Sequence, residues 1–137
     1  MKLSDHFTLN EFTYSDTARA QGIDNSVPSD AVLMNLKALC HNVLEPLRLR
    51  YGKPISISSG YRCPKLNKAV GGVASSQHVF GQAADLNVGS REENARLFEL
   101  IQDMKLPFDQ LIDEYGMAWV HVSYYSPRNR RQVIRQR

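Results

Sequence analysis

His78-Val79-Phe80-Gly81-Gln82-Ala83-Ala84-Asp85-Leu86-Asn87-Val88 passes from a loop into a strand, and the rest of the chain is best read outward from it. Ala83 to Val88 reads as a strand ending at Gly89, with Asp85 emerging after two alanines that leave space beside its carboxylate. Gly81 and the alanines let backbone approach closely, as a loop around a metal requires. Trp119-Val120-His121-Val122 places a second imidazole mid-strand, pointing to the face opposite its valine neighbours. An unpaired buried polar group costs on the order of 1–3 kcal/mol, so a histidine there needs a partner. Taken singly, His78 reads as a hydrogen-bonded structural histidine and Asp85 as a turn or capping residue. It is the combination that points to a metal.

Two histidines and one carboxylate are the ligand set of a catalytic zinc site, which keeps an open position for water; a structural site closes with four protein ligands. Imidazole nitrogen suits zinc, whereas magnesium and calcium favour oxygen. The chain has only Cys40 and Cys63, in no CxxC arrangement. A metal-activated water is therefore the expected nucleophile rather than a thiol. Two cysteines make no disulfide framework. Cys40 falls in a helical pattern as a small core residue, and Cys63 sits in a loop where it either packs or approaches the metal.

At 137 residues the chain is long enough for one domain with its own core. Met1-Lys2-Leu3-Ser4-Asp5-His6 lacks the apolar stretch of a signal peptide. No run approaches the roughly eighteen apolar residues of a membrane span. The expectation is a chain without a signal peptide, cytoplasmic at synthesis and without a membrane span. The net charge of +3 is concentrated at the end, in Arg128, Arg130, Arg131, Arg135 and Arg137. This predicts a domain over 1–126 and a solvated basic tail over 127–137. No aromatic residues interleave these arginines as stacking platforms, which argues against a nucleic-acid partner.

Thr8-Leu9-Asn10-Glu11 has capping-box spacing and predicts a short helix that buries Phe12. Residues 15–26 read as a loop. Ser29 or Asp30 caps a helix whose Val32, Leu36, Leu39, Val43 and Leu47 trace one apolar stripe, with a kink expected at Pro46 and a stop at Gly52. Pro54 to Ser58 alternates as a strand, followed by loops through Pro64 and past Gly71-Gly72. Ser90 to Glu93 opens another helix, with Ala95, Phe98, Ile101 and Met104 facing inward. Phe108 to Glu114 and Trp119 to Tyr124 form a hairpin. The grouping predicts an α+β fold, a small mainly antiparallel sheet with flanking helices.

These residues also carry a resemblance. Ser76-Gln77-His78-Val79-Phe80-Gly81-Gln82-Ala83-Ala84-Asp85 resembles the SxHxxGxAxD motif of the zinc D-alanyl-D-alanine carboxypeptidase family. That family includes phage endolysin peptidases and shares its fold with the Hedgehog signalling domain. Trp119-Val120-His121 is similar to the family's second ligand motif. Ser58 to Arg62 through Asn67, with Val70-Gly71-Gly72, is similar to its substrate-side segment. The resemblance runs from about Leu3 to Tyr125. It implies one zinc ion per chain, held by His78, Asp85 and His121.

Many members place a Glu three residues before the second His, where this chain has Ala118. The nearest carboxylates are Asp113 and Glu114. Phe108-Asp109, four residues, then Glu114 resembles the corresponding Hedgehog pattern and implies Glu114 as general base, with Asp113, on the opposite face of the strand, as the alternative. Arg62, Ser76 and Tyr61 are the expected substrate-binding residues; the planar fork of Arg62 suits a carboxylate or an oxyanion. Gln82 is a weaker candidate beside them. The implied function is a monomeric zinc metallopeptidase acting on peptidoglycan stem peptides. The bond is D-Ala–D-Ala, as in a carboxypeptidase, or an internal one such as L-Ala–D-Glu or a cross-link, as in an endolysin of phage or prophage lysis that reaches the cell wall after release. The alternative is a non-catalytic zinc-binding module recognising wall peptides or a protein partner.

Overall fold

In the computed structural model, which describes residues 1–135, the chain opens with a hairpin of β1 (Lys2–Ser4) and β2 (Phe7–Thr8). Thr8 starts α1 (Leu9–Thr13): the Glu11 carboxylate accepts from the Thr8 amide at 2.7 Å and from its hydroxyl at 3.1 Å. Phe12 is fully buried, as its place in the pattern predicts. The stretch expected as a loop over 15–26 contains α2 (Asp16–Gln21), capped by the Ser15 hydroxyl. This helix buries only Ala18, so it carries no apolar stripe for a sequence pattern to reveal.

Ser29 caps α3 (Asp30–Leu39), which runs through a π-helical turn (Cys40–Leu44) into α4 (Glu45–Tyr51). Leu36, Leu39, Val43 and Leu47 are all fully buried, so one stripe spans the whole assembly. Pro46 does not break it. Proline lacks an amide donor, and the widened turn just before it absorbs the missing hydrogen bond. Glu45 pins the N-terminal hairpin to this helix, accepting from the Ser4 hydroxyl at 2.7 Å and the His6 amide at 2.8 Å. Burial pushes the Cys40 thiol up to about 12, with the Glu11 and Glu45 carboxylates adding to it, which makes Cys40 an inert core residue.

The sheet consists of β3 (Ser56–Ser59), β4 (Ala83–Asn87), β5 (Gln110–Glu114), β6 (Trp119–Ser123) and β7 (Gln132–Arg135), in the order β3-β4-β6-β5-β7. All neighbours are antiparallel except β5 and β7. The fold is thus the α+β arrangement with a mainly antiparallel sheet that the pattern predicts. Between β3 and β4 lies a short α5 (Pro64–Ala69). Ala84, Leu86, Leu111, Val120 and Val122 turn one face into the core, where the long helical assembly and α6 (Arg91–Asp103) cover it. In α6 the buried residues are Asn94, Leu97, Phe98 and Ile101; Ala95 and Met104 are only partly buried. Asn94 is buried because it is fully used. Its amide donates to the carbonyls of Met117 at 2.9 Å and Ala118 at 3.2 Å, and its oxygen accepts from the Val88 amide at 2.8 Å.

The arginine-rich end is solvated, with Arg128, Arg130, Arg131 and Arg135 all exposed, but it is not the separate tail expected over 127–137. Asp109 is 2% exposed, and a buried carboxylate demands charge-assisted partners. Arg130 supplies them through its amide at 3.0 Å, Nε at 2.8 Å and Nη2 at 3.0 Å, while Gln77 Nε2 adds a fourth at 2.9 Å. The chain then pairs as β7 beside β5, so the expected division at residue 126 does not hold over 127–135. Arg137 lies outside the described residues. Among those described, no helix is long and apolar enough to cross a membrane.

The Arg130 bonds hold the Asp109 carboxyl below its usual range, against burial, which pushes it up. A depressed folded value stabilises the fold above the unfolded value and loses that contribution as pH falls through the folded one. Asp109→Asn is expected to cost about 1–2 kcal/mol at pH 7, the modest figure reflecting the half-exposed arginine. Urea titrations should show the gap to wild type narrowing as pH falls below about 3.9.

Candidate metal centre

Asp85 and His121 face each other directly across β4 and β6, on the sheet face away from the core. Asp85 Oδ1 lies 3.1 Å from His121 Nδ1 and 3.3 Å from His78 Nε2. His78 arrives from a short 3-10 turn (Gln77–Phe80) that the Ser76 hydroxyl caps, accepting from the His78 amide at 3.3 Å. The sequence-predicted ligands therefore converge from three segments. One donor atom from each lies within 4.8 Å of the others, and all three residues are buried. Burial pushes the Asp85 carboxyl up, but the two imidazoles outweigh it and hold it well below the ordinary carboxylate value.

The chemistry of these donors fits zinc. His78 Nδ1 lies 2.7 Å from the Gly60 carbonyl, which can only accept, so Nδ1 carries the proton and Nε2 is left bare for a metal. Tetrahedral donors about 2.0–2.1 Å from a shared zinc sit about 3.3–3.4 Å apart, close to the observed spacing. Arg62 stands behind the centre: Nη2 is 3.6 Å from Asp85 Oδ2, Nε donates to Ser59 at 3.1 Å and Nη1 to Asn67 at 3.1 Å. Burial lowers the Arg62 pKa, while Asp85 and Glu114 raise it.

The two loops are locked together. The Arg62 amide donates to the His78 carbonyl at 3.1 Å, and the His78 ring returns a bond to Gly60. Gly60 rests directly on α1, where an added Cβ would come within 2.6 Å of Phe12 Cα. Next to it the expectation for Tyr61 fails. Its side chain is 3% exposed and packs in the hydrophobic core, so it cannot meet a substrate. Cys63 is also accounted for away from the metal: its sulfur accepts from the Leu66 amide at 3.4 Å as the cap of α5.

Glu114 and Asp113 separate as strand alternation requires. Ile112 is paired with His121 and Glu114 with Trp119, so Glu114 lies on the face of the metal centre. Burial raises its pKa, with Asp85 and Asp113 adding to the effect and His121 and Arg62 opposing it. Asp113 turns to the core side, where its carboxylate accepts from the Met117 amide at 2.7 Å inside the hairpin.

Beside the centre opens a cleft of about 570 Å³, lined among others by His121, Ile112, Ser76, Gln77, Tyr125 and Arg128. Ser76 and Gln82 both line the cleft. Asp109, Gln77, Arg128 and Arg130 are the members that sequence reasoning missed. The only available signal was a lone Asp after Phe108 and an arginine run with no visible counter-charge.

The match to peptidase M15 covers residues 5–123. The chain belongs to the peptidase M15 family. It is also 34% identical over 89 residues to the zinc D-Ala-D-Ala carboxypeptidase of Streptomyces albus G. That match covers 64% of this chain and only 35% of the carboxypeptidase. All three candidate ligands, Glu114 and the reciprocal loop contacts of this M15 chain lie inside the family match, whereas Arg128 and Arg130 lie beyond it.

Gly72 packs against the Arg62–Asn67 pair, and an added Cβ would sit 2.9 Å from Arg62 Nη1 and nearer still to the Asn67 side-chain oxygen. Gly72→Ala is expected to displace the group behind Asp85 and weaken zinc binding by about 10–100-fold. Calorimetric zinc titration checks this, with the thermal midpoint of the metal-free chain measured alongside to exclude unfolding.

Proposed function

We propose that the chain is a zinc metallopeptidase that hydrolyses peptide bonds of peptidoglycan stem peptides. The observation that carries the reading is Glu114, whose carboxylate has no hydrogen-bond or ion-pair partner among the described residues, on the same sheet face as a His-Asp-His set that leaves a coordination position open. Zinc held by His78, Asp85 and His121 supplies a Lewis acid and lowers the pKa of bound water to about 7. Glu114 accepts the proton of the attacking water and returns it to the leaving amine. Its partial burial suits this work, because the desolvated carboxylate is the more basic one. Arg62 faces Asp85 at 3.6 Å and helps to orient it. Its guanidinium has five N–H groups, of which Ser59 and Asn67 take two, and N–H groups remain for the developing oxyanion. The Ser76 oxygen accepts from the His78 amide, so its hydroxyl proton is free to meet a substrate carbonyl.

The substrate class rests on the likeness to the Streptomyces carboxypeptidase, and on a cleft lined by polar side chains in which a peptide finds hydrogen-bond partners. The bond is a terminal D-Ala–D-Ala or an internal one, L-Ala–D-Glu or a cross-link. The internal case makes the chain an endolysin-type endopeptidase of phage or prophage lysis.

Digestion of purified peptidoglycan with the zinc-loaded chain, read by mass spectrometry, should release new amino and carboxyl termini that identify the bond. Glu114→Gln should slow release by about 10²–10⁴-fold with zinc still bound. Asp113→Asn should keep the rate within a few-fold while lowering stability through the lost hairpin bond. No new termini from the wild type would overturn the proposal, and a fully active Glu114→Gln would overturn the choice of base.

A further inference from the structure

One cation in the cleft is not used by the centre described above. We propose that Arg128 recognises a free carboxylate on the peptide substrate, an assignment that rests on the peptide reading of the site and adds to it a chemical requirement on the substrate.

The charges along the cleft lead to this residue. Asp109 and Arg130 also line it, but they neutralise each other through two guanidinium bonds of 2.8 Å and 3.0 Å. Arg62 faces the buried Asp85 carboxylate. The Arg128 guanidinium has no ion-pair or hydrogen-bond partner among the described residues, and the other side chains lining the cleft, Ser76, Gln77 and Gln110 among them, are uncharged apart from the mutually paired Asp109 and Arg130. A carboxylate entering the cleft therefore meets an uncommitted guanidinium with no competing anion. The planar fork of Arg matches two carboxylate oxygens at once.

The backbone beneath Arg128 is held in place. Its amide donates to the Tyr125 carbonyl at 2.7 Å, and the Asn129 side chain accepts from the Tyr125 amide at 2.8 Å, closing a tight turn. Immediately after it, the Arg130 amide binds Asp109 at 3.0 Å and the Arg131 amide binds the Phe108 carbonyl at 3.0 Å. Arg128 is thus presented from a fixed rim, so little backbone freedom is lost when it engages a ligand. The rim lies beyond residue 123, where the family match ends.

The test uses the zinc-loaded full chain and one pair of probes: a stem pentapeptide of the L-Ala-D-Glu-L-Lys-D-Ala-D-Ala type, and the same peptide with every carboxylate converted to a carboxamide. Calorimetry measures binding and mass spectrometry measures cleavage for wild type, Arg128→Gln and Arg128→Lys. For the free-carboxylate peptide, Arg128→Gln should weaken binding and raise KM by about tenfold with kcat nearly unchanged, and Arg128→Lys should restore part of the loss. The amidated peptide should bind wild type and Arg128→Gln alike. An equal loss on both peptides, or no loss on either, overturns the assignment. A wild type that binds the free peptide and never cleaves it, with the Arg128 dependence intact, overturns the hydrolytic function and leaves this assignment standing. A wild type that binds neither peptide overturns both.

Discussion

The pairing of Asp85 with His121 across β4 and β6 fixes everything else about the centre. Side chains alternate along a strand, so a slip of one residue would turn Asp85 into the apolar core and Leu86 out of it. That slip is barred twice over. Leu86, Val120 and Val122 are fully buried on the other face, and a carboxylate in their place would lose its water with no compensation. The register that buries the valines therefore also brings two ligands within 3.1 Å of each other. It sets the place of the proposed base too. With β5 beside β6 and Ile112 opposite His121, the next residue on that face of β5 is Glu114.

The third ligand depends on loops, and loops need a backing. Gly60 touches α1 so closely that no side chain fits, and the Tyr61 amide donates to the Phe12 carbonyl at 2.7 Å. The Gly60 carbonyl is thereby set at the one place from which it can hold the proton of His78 Nδ1. A helix of five residues at the N-terminal end thus decides which nitrogen of a distant histidine is available to a metal. Its capping box and the buried Phe12 ring serve the chemistry by keeping that backing rigid.

Much of this was legible in the sequence where a side chain both patterns and reacts. The ligands announced themselves because His121 interrupts an apolar alternation and Asp85 follows two alanines. The helix over 30–51 showed through its stripe, and α1 through its capping box. What stayed hidden lacked either sign. The six-residue α2 has one buried alanine and no periodicity, and Tyr61 looked like a loop residue because nothing in its neighbours reveals the core beneath it. Glu114 is near His121 across a hairpin, a distance that sequence spacing measures poorly; Ala118, closer in sequence, carries no carboxylate at all. The arginines were misread for a related reason. A run of like charge looks like a separate tail until its counter-charge is found, and Asp109 lies far from it in sequence.

That counter-charge also gives the cleft a wall built independently of the metal centre. Asp85, His121 and Glu114 sit on strands whose register the core dictates, so none can change without disturbing the sheet. The far wall of the cleft is built differently. It hangs on one buried carboxylate, Asp109, which Arg130 and Gln77 satisfy together, and the turn before Arg130 is free to carry any side chain. That turn carries none of His78, Asp85 and His121, so its side chains vary without moving them. Strand register holds Asp85, His121 and Glu114, and the rim is tied down separately at a single buried acid.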